Sequence, residues 1–243
     1  MYVHFSVDDT AEILRDIREH AYTDVFQNET LAFLKALHGR FGICVSLYVF
    51  DRTDGFLLSD FPVTYRAQFL AASDWLRFGV HAKEMNAAFR TPETLADYRE
   101  MHATCVRLFG KASIDLCPRP HFFAMHPEVI ATLSRDGSIR GLMCPDDDRA
   151  CYGFTEREYA ALKERGVTTR NGCLYARTEK RLECLDLAGI EEIFATRAQT
   201  PLLSFFTHEC HMEKPSMREK ITRVCTLADA SQRAWCFPAD LKL

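Results

Sequence analysis

The residues with the most chemistry to offer stand directly after apolar runs. YVHFSV is followed by Asp8 and Asp9, LRFGV by His81, and ASIDLC by Arg119 and His121. IRGLMC leads to Asp146, Asp147 and Asp148, and LLSFFT to His208, Glu209 and His211. If these runs are parallel strands, their carboxyl ends share one rim, where parallel α/β folds collect functional groups. Carboxylates and imidazoles on one rim can run acid–base catalysis. They also suit a divalent ion, zinc first, with cobalt, manganese or nickel as alternatives. Asp8 and Asp9 need a reason of their own, because adjacent acids repel. A local reading is that Asp9 or Thr10 caps a following helix, a position that Asp and Thr favour.

The elements that would position these groups alternate along the chain. Strand-like runs occupy residues 2–7, 43–50, 76–82, 112–117, 139–144, 173–177 and 202–208. Helix-like stretches fall between them, at 10–21, 28–40, 64–75, 91–110, 126–137, 155–166 and 187–198, and a last one spans 216–232. Asn28, Thr91-Pro92 and Thr155 with Glu158 read as helix starts, and Gly39, Gly110, Gly137 and Gly166 as helix stops. His126-Pro127 also reads as a helix entry. Alternating βα units imply a parallel sheet covered by helices. An open nucleotide-binding sheet would want a glycine-rich turn after its first strand. Here that turn is DDTAE, acidic and without glycine, so a (β/α) barrel is favoured. No linker, repeat or low-complexity stretch interrupts the chain, and one domain over residues 1–243 is expected. His4, Ser6 and Asp8 share one face of the first strand, and Ser204, Phe206 and His208 one face of the last. If both faces point to the barrel axis, Asp8 and His208 converge at its mouth.

Composition narrows the function. The chain has 243 residues, 47% hydrophobic and 26% charged, with a net charge of −4, which gives no basic patch for nucleic acid or an anionic membrane. No apolar window is long enough to span a bilayer, and the N-terminus lacks the pattern of a signal peptide. A cytoplasmic location is expected, with the ten cysteines as reduced, mostly buried thiols. Cys210, in THECH, lies among the candidate site residues. Trp75, just before the third strand, could stack on a sugar ring.

In order along the chain, these segments resemble the motifs of the polysaccharide deacetylase (NodB-homology) family. FSVDDT is similar to its aspartate-pair motif, WLRFGVHAKEM to its histidine motif, and CPRPHFF to its arginine-proline motif. GLMCPDDD stands in the place of the fourth motif, and FFTHE resembles the histidine-bearing fifth. The resemblance covers residues 2–209 and implies a distorted (β/α)7 barrel that removes an acetyl group from a sugar with the help of a metal. It would make Asp8 the general base, Asp9 and His81 metal ligands, His208 the general acid and Arg119 the group that orients the catalytic carboxylate. His121, Asp146 and Trp75 would bind or orient substrate. On this reading one of the paired acids holds the ion while the other works beside it.

One position departs from the family pattern. A second histidine is usual four residues after the first, and here that residue is Met85, whose thioether is a poor zinc ligand. Glu84, on nearly the same helix face as His81, could replace it. Otherwise the ion relies on His208, His211 or Glu209, or is absent. The expected substrate is a small molecule or oligosaccharide. The alternatives are a non-catalytic carbohydrate-binding relative and a metal-free glycoside hydrolase using two carboxylates such as Asp8 and Asp146.

Overall fold

The computed structural model describes residues 1–149 and 151–241. Its centre is a parallel sheet in which β1 (Tyr2–Thr10) lies between β2 (Val45–Phe50) and β8 (Leu202–His208). Beyond β2 lies β3 (Leu76–Ala82), and beyond β8 the two-residue β7 (Lys180–Arg181). A second sheet holds β4 (Gly141–Cys144) parallel to β6 (Cys173–Arg177), with β5 (Val167–Arg170) antiparallel on its edge.

Single main-chain hydrogen bonds join the two sheets at both seams. On one side, residues 114–118 are laid between β3 and β4. The Asp115 amide donates to the Phe78 carbonyl at 2.9 Å, Gly141 to Leu116 at 3.1 Å and Met143 to Pro118 at 3.0 Å. On the other side the Glu179 amide donates to the Ser204 carbonyl at 2.8 Å. The result is a distorted (β/α)7 barrel with no single sheet running right round it. The expected strand at 112–117 is therefore a correction: it has the place of a strand but only an isolated bridge, Phe78 to Ile114. The physical reason is local. Pro118 and Pro120 have no amide to donate, and the Cys117 amide is taken by the Asp115 side chain at 2.8 Å.

Outward-facing strand residues, among them Val3, Phe5, Val7, Val45, Leu47, Val49, Leu203 and Phe205, pack under the helices as the main core. A strand covered on both faces should read as a continuous apolar run, and these do. The inward column is more polar. His4, Ser6, Ser46, Ser204 and Arg119 are all fully buried. Ser46 and Tyr48 both donate to Asp115 Oδ2, at 2.5 and 3.2 Å. Gly79 lets the Tyr48 ring into this interior, since a Cβ there would lie 2.7 Å from it.

The helices are α1 (Glu12–His20), α2 (Glu29–Phe41), α3 (Arg66–Ala71), α4 (Thr94–Phe109), α5 (Pro127–Arg135), α6 (Glu156–Arg165), α7 (Leu187–Thr196) and α8 (Pro215–Ala230). Asn28 caps α2, Thr155 and Glu158 form a capping box on α6, and His126 caps α5, as expected. Gly110 and Gly166 close α4 and α6. Two boundary readings are corrected. Gly39 lies inside α2, which stops at the left-handed Gly42, and α4 begins without a side-chain cap after Glu93 instead of at Thr91. Among the described residues no helix is long and apolar enough to cross a membrane.

Candidate active site

Adjacent residues of a regular strand point to opposite faces, so Asp8 and Asp9 could not both enter the barrel mouth from an unbroken β1. The strand is broken at that point. Its register with β2 slips between Val7 and Thr10, and Asp9 takes a left-handed backbone with φ 61°. A bulge of this kind re-aims a side chain, and Asp is among the few residues that tolerate the conformation. Neither Asp9 nor Thr10 caps α1. The amides of Ala11, Glu12 and Ile13 donate instead to Glu209, at 2.9, 2.8 and 2.8 Å.

Asp8 points inward to the buried Arg119, whose guanidinium donates to Asp8 Oδ1 at 2.6 Å, Ser6 Oγ at 2.9 Å and Thr178 Oγ1 at 3.0 Å. The same guanidinium lies 4.2 Å from the Phe206 ring centre. A carboxylate inside a protein is tolerable only with such a partner. The Arg119 carbonyl is 2.5 Å from His81 Nδ1, so that nitrogen carries the proton and Nε2 presents a lone pair.

Three groups meet at that lone pair. Asp9 Oδ1 is 3.1 Å from His81 Nε2, His121 Nδ1 is 2.9 Å from it, and His121 Nδ1 is 3.8 Å from Asp9 Oδ1. The Met85 main chain nearby favours the His121 imidazolium, but only weakly. Burial and the His81 charge push His121 down to about 4, so the neutral ring is the resting form. Burial raises the Asp9 carboxyl, but His81, His208 and His121 outweigh it and keep it below the usual carboxylate range. Asp9 Oδ1 is buried and has no hydrogen-bond partner. Two imidazole nitrogens and a carboxylate oxygen thus face one another. These donors lie within 4.8 Å of one another and suit zinc or a similar divalent ion.

His208 sits beside this group. It is the Cα partner of Asp8 in the β1–β8 register, so the two side chains meet as neighbours on adjacent strands. Glu183 Oε1 accepts from the Thr207 hydroxyl at 2.7 Å and the His208 amide at 2.7 Å, and lies 3.0 Å from His208 Nδ1. Burial lowers the His208 imidazole, but Glu183 and the charges of Asp8 and Asp9 more than reverse this and raise it. A cleft of about 700 Å3 opens next to Asp9, lined among others by Phe50, Arg52, Met85 and Cys210.

Of the sequence candidates, Asp8, Asp9, His81, Arg119, His121 and His208 come together. Glu84 does not join the donor group. Its carboxylate is turned outward to Arg52 Nε at 2.9 Å, and His121 takes the place expected for it. Asp146 is held by Arg181, whose Nε and Nη2 lie 2.9 and 2.7 Å from its oxygens, so this carboxylate anchors a loop. Trp75 is a correction. It precedes β3, at the opposite end of the strand from His81, and is buried against His38 and Phe26, with ring centres 4.8 and 5.7 Å away. Glu183 is the site residue that sequence reasoning misses. It follows β7, a two-residue polar strand with no apolar run to announce it.

No protein-family model and no curated protein matches the sequence. Solved structures do match the fold. A peptidoglycan N-acetylglucosamine deacetylase is 9% identical, with 97% of this chain and 85% of that one covered and a TM-score of 0.50. A probable polysaccharide deacetylase from Pseudomonas aeruginosa PAO1 is 11% identical, covering 96% and 86%, with a TM-score of 0.55. A 4-alpha-glucanotransferase from Thermococcus litoralis is 13% identical with a TM-score of 0.60, covering 98% of this chain and 39% of that one. The chain thus shares its distorted (β/α)7 barrel with these deacetylases and with the glucanotransferase, and at these identities the likeness speaks for the fold alone.

Proposed function

We propose that the protein is a metal-dependent hydrolase that removes an acetyl group from an acetylated sugar or glycoconjugate. The observation that carries this is the meeting of Asp9 Oδ1, His81 Nε2 and His121 Nδ1 within 4.8 Å of one another. One carboxylate and two imidazoles converging this closely suit a divalent cation held among them. A divalent ion bound there would supply Lewis acidity toward an acyl oxygen and acidify a water. Asp8, fixed by its hydrogen bond from Arg119, is the base that takes the water's proton. His208, whose imidazolium Glu183 stabilises, is the acid that protonates the departing nitrogen or oxygen. Asp146 and Asp8 are each locked to an arginine. That argues against the pair of free carboxylates a metal-free glycosidase needs.

The test is twofold: metal content after dialysis against zinc, cobalt or manganese, and acetate release from N- and O-acetylated sugars. Stoichiometric metal with acetate release supports the reading. A protein that takes up no metal at neutral pH would be a binding relative with the same barrel.

A further inference from the structure

Strain in this chain gathers near the donor group. Among the described residues seven non-glycine residues have positive φ, and Asp9, Phe122, Phe123 and Tyr152 are four of them. Phe122, with φ 57°, and Phe123, with φ 53°, are consecutive and directly follow His121. Two successive left-handed phenylalanines are costly, and such outliers persist where a particular side-chain direction is needed. The effect is to push the Phe122 ring outward: it is 41% exposed, with its centre 4.0 Å from the His121 ring. A core role would hide that ring.

Phe122, Phe123 and Tyr152 line a groove of about 580 Å3 whose charged members, Arg90 and Arg149, are both basic. Arg90 is exposed and, among the described residues, enters no ion pair. Its guanidinium lies 5.7 Å from the Phe122 ring centre. Arg149 is tied to Asp147 at 2.6 Å and lies 5.8 Å from the Phe123 ring centre. The cleft beside Asp9 has the opposite character: Glu12, Asp54, Glu84 and Glu209 there exceed Arg15 and Arg52. An exposed aromatic face beside a free guanidinium fits a ring that carries an anion, since the planar fork of arginine matches carboxylate and phosphate geometry.

We propose that the groove formed by Arg90, Phe122 and Arg149 is a subsite for an anionic sugar, bearing a carboxylate or a phosphate, next to the acetylated one. This deepens the deacetylase reading by naming the class of substrate. Binding at the subsite needs no metal, so the two can fail separately.

The experiment is calorimetry on the full chain dialysed against a chelator, so that no hydrolysis competes. The ligands are a tetrasaccharide alternating N-acetylglucosamine and glucuronate, neutral chitotetraose, N-acetylglucosamine 6-phosphate and N-acetylglucosamine. An anionic ligand should bind roughly tenfold more tightly than its neutral counterpart at low salt, and high salt should erode that preference. In Arg90→Gln the preference should fall to within about twofold while neutral binding is unchanged. Phe122→Ala should weaken both members of a pair alike. Both side chains are exposed, so the fold is not at stake. Whichever anionic ligand shows the preference identifies the charge. Equal binding of both pairs to the wild type, or a preference that survives Arg90→Gln, overturns the proposal. Acetate release without this preference would leave the hydrolase standing and remove the subsite; the preference without acetate release would do the reverse.

Discussion

His121 Nδ1 lies 2.9 Å from His81 Nε2, and the other nitrogen of the His81 ring, Nδ1, lies 2.5 Å from the Arg119 carbonyl. Met85 stands where a second histidine would be expected four residues after His81. Met85 is 53% exposed, and its thioether offers little to a metal. The residues after β3 form turns and no helix, so the third group of the cluster, His121, comes from the segment after Arg119.

This placement predicts unequal effects of two substitutions. His121→Ala should weaken zinc binding by roughly 100-fold or more, since it removes a donor outright where loss of a supporting residue alone costs 10–100-fold. Glu84→Gln should leave zinc affinity unchanged. Competition of each variant with a colorimetric chelator reads both, and reversed effects would put the third ligand back at Glu84.

The paired aspartates should fail in different ways. Asp9→Asn should lose metal and turnover together, because an amide supplies no charge to the ion. Asp8→Asn should keep the metal and lose turnover by roughly two to four orders of magnitude. It should also cost about 3 kcal/mol of stability, because Arg119 would remain buried without its counter-ion. Metal analysis, steady-state rates and denaturant melts on the two variants separate these outcomes.

Glu209 should be structural despite its place beside His208. It accepts the first three amides of the α1 end from 196 to 198 residues away, satisfying donors that Asp9 and Thr10 leave free. Glu209→Ala should cost about 2 kcal/mol, the upper range for a lost cap, because the exposed amides are buried as well. Zinc content of the refolded variant should match the wild type. A stable variant lacking metal would place Glu209 in the site instead.

Much of this arrangement is legible in the sequence, and the gaps have physical causes. Long strands buried on both faces, such as β1, β3 and β8, announce themselves as apolar runs, and their ends point to Asp8, Asp9, His81 and His208. The hairpin of β5 and β6 is half visible. Its turn, Asn171-Gly172, has positive φ at both residues, the signature of a tight hairpin, but VTTR is short and polar and does not read as a strand. The position of His121 depends on an irregular path through two prolines that periodicity cannot follow. That it joins Asp9 and His81, and that Glu209 becomes a cap, are tertiary facts. Neither residue differs in its local sequence from a rim histidine or a surface acid.

The Glu183–His208 pair makes acid stability the last test. Burial raises the Glu183 carboxyl, but the donors from His208 and Thr207 outweigh it and bring it down to about 2 from an ordinary 4.5. A carboxyl whose folded value is depressed stabilises the fold at pH above its unfolded value, and that contribution is lost as pH falls from 4.5 through about 2. It amounts to about 3 kcal/mol at most. Glu183→Gln removes the titration, so its stability should be lower than wild type near neutral pH and converge with it toward pH 2. His208 moves the other way: raised by Glu183, Asp8 and Asp9, it contributes stability below its ordinary value of 6.5 that is lost as pH rises through the raised one. Urea melts at pH 2.5, 4.5 and 7 for wild type and Glu183→Gln read the acid window directly. Parallel curves would mean that Glu183 does not hold His208 in solution, and the acid assigned to His208 would then lack its support.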